Sequence, residues 1–83
     1  MFRLNFRKKR YDELDLTSQF ILYYLKKYKY LDSTEIAILI NKQLKKPVRT
    51  NTIRKKLFKL ISLGYVKSKF EEKLGKTIYY LSD

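Results

Sequence analysis

Thr50-Asn51-Thr52-Ile53-Arg54-Lys55-Lys56-Leu57-Phe58-Lys59-Leu60-Ile61-Ser62-Leu63-Gly64-Tyr65-Val66 is the stretch on which the fold turns. Ile53, Leu57, Leu60 and Ile61 recur at the i, i+4, i+7, i+8 spacing of one buried helix face. At about 100° per residue, Asn51, Lys55, Lys59 and Ser62 lie roughly opposite that stripe, with Thr52 and Arg54 on its flanks. One face packs and the other presents hydrogen-bond donors. Thr50 is a suitable cap for the start of the helix, and Gly64 supplies a left-handed residue just past its end. Beyond Gly64 the period drops from 3.6 to about 2. Tyr65–Phe70 and Lys76–Leu81 are rich in β-branched and aromatic residues, and Glu71 to Gly75 reads as the turn between two hairpin strands.

Moving towards the N-terminus, Leu31-Asp32-Ser33-Thr34-Glu35-Ile36-Ala37 opens a second helix. Asp32 or Ser33 caps it, and Glu35 stands where a capping box needs it. Ile36, Leu39, Ile40 and Leu44 carry this helix to Lys45-Lys46, where Pro47 ends it, since proline disfavours helix at the residue before it. A first helix begins at Thr17 or Ser18, with Asp15 near the positive end of its dipole, and runs to about Tyr30. Phe20, Ile21, Tyr24, Leu25 and Tyr28 form its buried face. Leu22 and Tyr23 lie off that face, so this helix has more than one surface to cover. A two-stranded hairpin is marginal alone and must pack on the helices. Residues 1–12 have no sustained period and read as a basic arm with Phe2, Phe6 and Tyr11 as anchors, leaving 13–83 as the domain.

Composition removes most chemistries. The 83 residues carry 20 Lys or Arg against 8 Asp or Glu, a net charge of +12, with no His and no Cys. Absent cysteine excludes disulfides, thiolate metal sites and cysteine nucleophiles. Absent histidine removes the commonest general base and metal ligand. No Gly-rich phosphate loop, paired acids or Ser/Lys constellation is present, so neither catalysis nor a cofactor nor a metal is expected. Charges interrupt every apolar run, so no membrane span or secretory leader is expected, and the cytoplasm is the expected location. At 45% hydrophobic and 16% aromatic the chain is a foldable domain rather than a basic tail.

The charge is also partitioned. Residues 1–11 hold five basic groups and no acid, and residues 45–59 hold seven and no acid, while the remainder nets to zero. A solvating coat intersperses the two signs, and isolated lysines such as Lys42 and Lys67 are read that way. An acid-free block on the exposed side of a helix is the footprint of a polyanion.

These pieces, in this order and spacing, resemble the winged helix-turn-helix family of small bacterial and archaeal transcription regulators over residues 17–82. The resemblance implies an α+β fold of three helices followed by a two-stranded β-hairpin wing. It implies that the third helix enters the DNA major groove by its N-terminal half and that the wing touches the flanking backbone or minor groove. Carried over by position, it points to Arg49, Thr50, Asn51, Thr52, Arg54, Lys55 and Lys59 on or before the third helix, and to Lys69, Lys73 and Lys76 on the hairpin. Arg bonds guanine O6/N7 and Asn bonds adenine N6/N7 in bidentate fashion, which makes Asn51, Arg54 and Arg49 candidates for base reading and the lysines candidates for phosphate contact. The expected partners are double-stranded DNA and a second copy of the chain, joined through the surplus apolar surface of the first helix, with the N-terminal arm as a further candidate contact. Glu71 and Glu72 are placed at the shoulder of the hairpin, and Phe58, about 115° from the centre of the buried stripe, is either partly exposed near the phosphates or tucked beneath the wing, the second being preferred. The Tyr-, Ile- and Lys-rich composition is also similar to that of small winged-helix proteins from viruses and plasmids of hyperthermophilic archaea. Two other functions stay open: a sequence-tolerant architectural DNA binder, favoured by Lys over Arg, and a protein-interaction winged helix in transcription machinery, favoured by the aromatic surplus.

Overall fold

The structure, a computed structural model, describes residues 14–82; the expected basic arm and its junction with the domain lie outside them. Five elements follow in order: α1 (Leu16–Tyr28), α2 (Ser33–Asn41), α3 (Thr50–Ser62), β1 (Val66–Glu71) and β2 (Lys76–Leu81). The architecture is the expected α+β winged helix-turn-helix, three helices and then an antiparallel hairpin.

Helix α1 starts earlier than expected. Asp15, rather than Thr17 or Ser18, is its cap, because the carboxylate accepts from the Ser18 N–H at 2.8 Å and satisfies a first-turn donor. The helix stops at Tyr28, short of Tyr30, because Lys29 takes φ 71° and ψ −52° and turns the chain. The Tyr30 N–H then donates to the Tyr28 carbonyl at 2.8 Å, closing a tight γ-turn. Ile21, Leu22, Tyr24 and Leu25 are buried, whereas Tyr28 is exposed and Phe20 only half-buried. Leu22 lies outside the expected stripe yet is fully buried, because α1 packs on α2, α3 and β2 at once and its inward arc is wider than one stripe.

Helix α2 has the expected capping box, with the Asp32 carboxylate accepting from Glu35 N–H at 2.7 Å and the Glu35 carboxylate accepting from Asp32 N–H at 2.9 Å. It ends at Asn41 and does not continue to Leu44. The cause is Asn41 itself, whose Oδ1 accepts from the Val48 N–H at 2.7 Å while its Nδ2 donates to the Val48 carbonyl at 3.1 Å. One side-chain amide thus closes the α2–α3 turn before Pro47 is reached. Leu44 still packs on the core, but from the turn.

Helix α3 is capped by Arg49, which makes no side-chain cap bond, and Thr50 is the first helical residue rather than the cap. Its end matches the expectation. Gly64 takes φ 90°, its N–H donates to the Ile61 carbonyl at 3.0 Å, and the Tyr65 N–H donates to the Leu60 carbonyl at 2.9 Å, the paired bonds of a Schellman termination. This reversal delivers Tyr65 and Val66 into the core, where Tyr65 is fully buried.

The hairpin pairs Val66 with Leu81, Ser68 with Tyr79 and Glu71 with Lys76, so Glu71 belongs to the strand and the turn is residues 72–75. A third segment joins the sheet at one point. Leu31, between α1 and α2, bridges Tyr79: the Tyr79 N–H donates to the Leu31 carbonyl at 2.8 Å and the Leu31 N–H to the Tyr79 carbonyl at 3.2 Å. The core runs continuously through Ile21, Leu25, Ile36, Ile40, Ile53, Leu57, Leu60, Val66 and Tyr79, so the wing is packed on the helices as a lone hairpin requires. Among the described residues no helix is long and apolar enough to cross a membrane.

Candidate nucleic-acid interface

Helix α3 divides cleanly between two environments. Ile53 and Leu57 are fully buried and Leu60 nearly so, which fixes the rotation of the helix, since these residues anchor it against α1 and α2. That rotation leaves Asn51, Thr52, Arg54, Lys55 and Lys59 exposed, with Thr50 half-buried at the first turn. Arg49, also exposed, stands at the cap position. The structure therefore brings the seven predicted residues of this segment onto one helix and its cap. Within the set, the Arg54 guanidinium donates to the Asn51 Oδ1 at 3.4 Å. Two side chains suited to base edges are held side by side.

Charge around this face is not neutralised. Among the described residues Lys56 and Lys76 form ion pairs, and both go to helix caps. Lys56 binds the Asp15 carboxylate that caps α1, which withdraws it from the α3 face. Arg49, Lys55 and Lys59 have no acidic partner among the described residues. With Arg49 unable to cap, the first-turn N–H groups of α3 face outward without a side-chain acceptor, adding the positive end of the helix dipole to the same region.

The three predicted hairpin residues do not converge in this way. Lys73 is exposed in the turn. Lys69 pairs with Ile78 and alternates onto the side of β1 opposite Val66, away from the core. Lys76 is held at 2.6 Å by Asp32, the cap of α2. Burial works against the charge of Asp32, but hydrogen bonds from Lys76 and from the Glu35 N–H outweigh it and hold its pKa below the ordinary value. The same bond raises the pKa of Lys76. Asp15 is lowered likewise, burial again being outweighed, here by bonds from Lys56 and Ser18.

Two features escape the sequence. Phe58 is not beneath the wing but 63% exposed on α3. Lys56 belongs to the acid-free block yet is spoken for by Asp15, a residue far away in the chain. Neither can be read from local period, since both depend on where α1 and the hairpin come to rest. Among the described residues no three acids gather.

No protein-family model matches the chain, and no curated protein matches it. Among solved structures it is similar to the ferric uptake regulator of Vibrio cholerae, whose crystal structure is described by a rearrangement of its DNA-binding domains. The two share 21% identity at a TM-score of 0.67, over 84% of this chain and 53% of that one. The chain thus spans about half the length of that regulator, and the likeness establishes a shared winged-helix fold.

Proposed function

We propose that the protein is a sequence-specific double-stranded DNA-binding transcription regulator acting as a homodimer, with α3 in the major groove. The observation that carries this reading is the exposed, acid-free face of α3, where Arg49, Lys55 and Lys59 surround the paired Asn51 and Arg54. Asn51 and Arg54 read base edges, while Arg49, Lys55 and Lys59 hold phosphates. Lys69 and Lys73 reach the backbone from the wing. Lys76 is left out, because its ammonium is engaged by Asp32. The DNA-binding domains named for the regulator that shares this fold agree with the reading.

Dimerisation is supported by the outer side of α1. Leu16, Phe20, Tyr23, Tyr24 and Lys27 line an open groove of about 460 Å³, in which Leu16 and Tyr23 are exposed. Phe20, Tyr24 and Tyr28 stack along the helix at centroid spacings of 6.4 Å. Leu16 and Tyr23 leave apolar surface uncovered beside this stack, which suits a self-complementary contact.

A salt titration with random-sequence competitor tests the DNA reading. Five phosphate-facing cations give a log–log slope of about −4.5. Asn51→Ala or Arg54→Ala is expected to lower the ratio of specific to random binding by about 5- to 100-fold, whereas Lys59→Ala weakens both alike and lowers the slope by about 1. A ratio unchanged by the first two variants removes base reading by α3, and a specificity ratio near one in the wild type makes the protein an architectural binder.

A further inference from the structure

Phe58 has no role in the scheme above. Its ring is 63% exposed, while its helix neighbours Leu57 and Leu60 are 0% and 1% exposed, so the core has no use for it. An isolated exposed hydrophobe is ordinary on a protein surface. The position of this one is not ordinary. Asn51, Lys55, Phe58 and Ser62 are spaced i, i+4, i+7 and i+11, which puts them on one line along the solvent side of α3. Arg54, Lys55 and Lys59 flank the ring, and no acid occurs from Thr50 to Ser62.

That setting selects the occupant. An apolar protein surface seated on Phe58 would strand the surrounding cations against it unless it brought its own acids. The DNA major groove supplies phosphates for Lys55 and Lys59, a base edge for Arg54 and, in its floor, one apolar group: the C5 methyl of thymine. We infer that Phe58 is a specificity-determining residue that packs against a thymine methyl in the major groove. The inference rests on the DNA-binding reading and adds to it a base preference. Phe58 lies seven residues beyond Asn51, about 10.5 Å along the helix axis, so the thymine falls about two base pairs further along the groove from the base that Asn51 reads.

The test uses the full chain and a library of random 20-base-pair duplexes. The most enriched duplex is resynthesised with deoxyuridine at each thymine in turn, which removes one methyl and keeps the O4 acceptor. The wild type is expected to lose about fourfold in affinity at one position, the equivalent of one buried methyl. Phe58→Ala and Phe58→Gln bind the thymine and deoxyuridine duplexes equally, and Phe58→Leu keeps part of the difference. Gln is a good helix former, so its melting temperature stays near wild type and separates lost contact from lost fold. If the wild type has no methyl-sensitive thymine, including the case in which no sequence is enriched, or if Phe58→Gln discriminates as the wild type does, the assignment is overturned while DNA binding stands. If the wild type binds no duplex, the DNA reading itself is overturned and the inference with it.

Discussion

Lys29 is the residue at which backbone sterics and sequence disagree. Among the described residues it is the one non-glycine with positive φ, at 71°, and it has no short polar side chain to ease that conformation. The strain is useful, because the γ-turn it makes directs Tyr30 and Leu31 from the end of α1 to the edge of β2. Such a conformation costs on the order of 1–3 kcal/mol. Lys29→Gly is therefore expected to raise stability by up to about 1 kcal/mol, the lost strain being partly offset by greater freedom of the unfolded chain. Urea titration measures it, and a clear loss of stability would show that the turn carries no strain. Gly64, at φ 90°, is the complementary case: there the sequence already provides the residue that the geometry needs.

At the scale of the element, two helices share one device. The caps of α1 and α2, Asp15 and Asp32, each hold a first-turn N–H and also bind a lysine from another element, Lys56 of α3 and Lys76 of β2. Both carboxyls have lowered pKa values in the folded state. Their contribution is therefore complete above the unfolded aspartate pKa of about 3.9 and is lost as pH falls through the lower folded values. Thermal melts from pH 7 to 2 are expected to show a steep fall below about pH 4. The fall becomes shallower in the Asp15→Asn/Asp32→Asn variant, because Asn still caps but carries no charge to titrate. Identical acid profiles for the two proteins would mean that these ion pairs contribute nothing to stability.

The same elements show what a sequence makes legible. The buried stripe of α3, its glycine stop and the change of period after it are local patterns, and the helix–hairpin order follows from them. Placement of the donors on the exposed side of α3 is legible too, being the complement of the stripe. What escapes is contact at a distance. Pro47 is the visible helix breaker, but α2 has already ended at Asn41, whose amide reaches forward to Val48. Thr50 is the better cap by type, yet Arg49 occupies the position. Phe58 is ambiguous by angle, and only the position of the wing decides that it is exposed.

At the scale of the whole molecule, dimensions and charge point the same way. The domain measures 32 × 32 × 22 Å, so the centres of two copies joined side by side lie about one molecular width apart. Successive major grooves on one face of a duplex recur at about 34 Å. A dimer through the outer side of α1 is thus compatible with a two-fold symmetric site. Sedimentation at micromolar concentration is expected to give twice the monomer mass for the wild type and the monomer mass for Tyr23→Glu, since a carboxylate in an apolar contact is costly to desolvate. Tyr23 is 52% exposed, so the change leaves the fold intact. A wild type that sediments as a monomer both free and on DNA removes the dimer.

The bridge between Leu31 and Tyr79 also sets an order of events. The helical turns close over short loops and can form early, whereas this contact joins the joint between α1 and α2 to the last strand and must wait for a long loop to close. The wing is therefore expected to dock last in folding, as a latch that completes the core shared by the helices and the hairpin. A latch set after the rate-limiting step governs how slowly the molecule comes apart rather than how fast it forms. Weakening the two backbone hydrogen bonds at Leu31, a residue of the linker, is therefore expected to speed unfolding more than it slows folding.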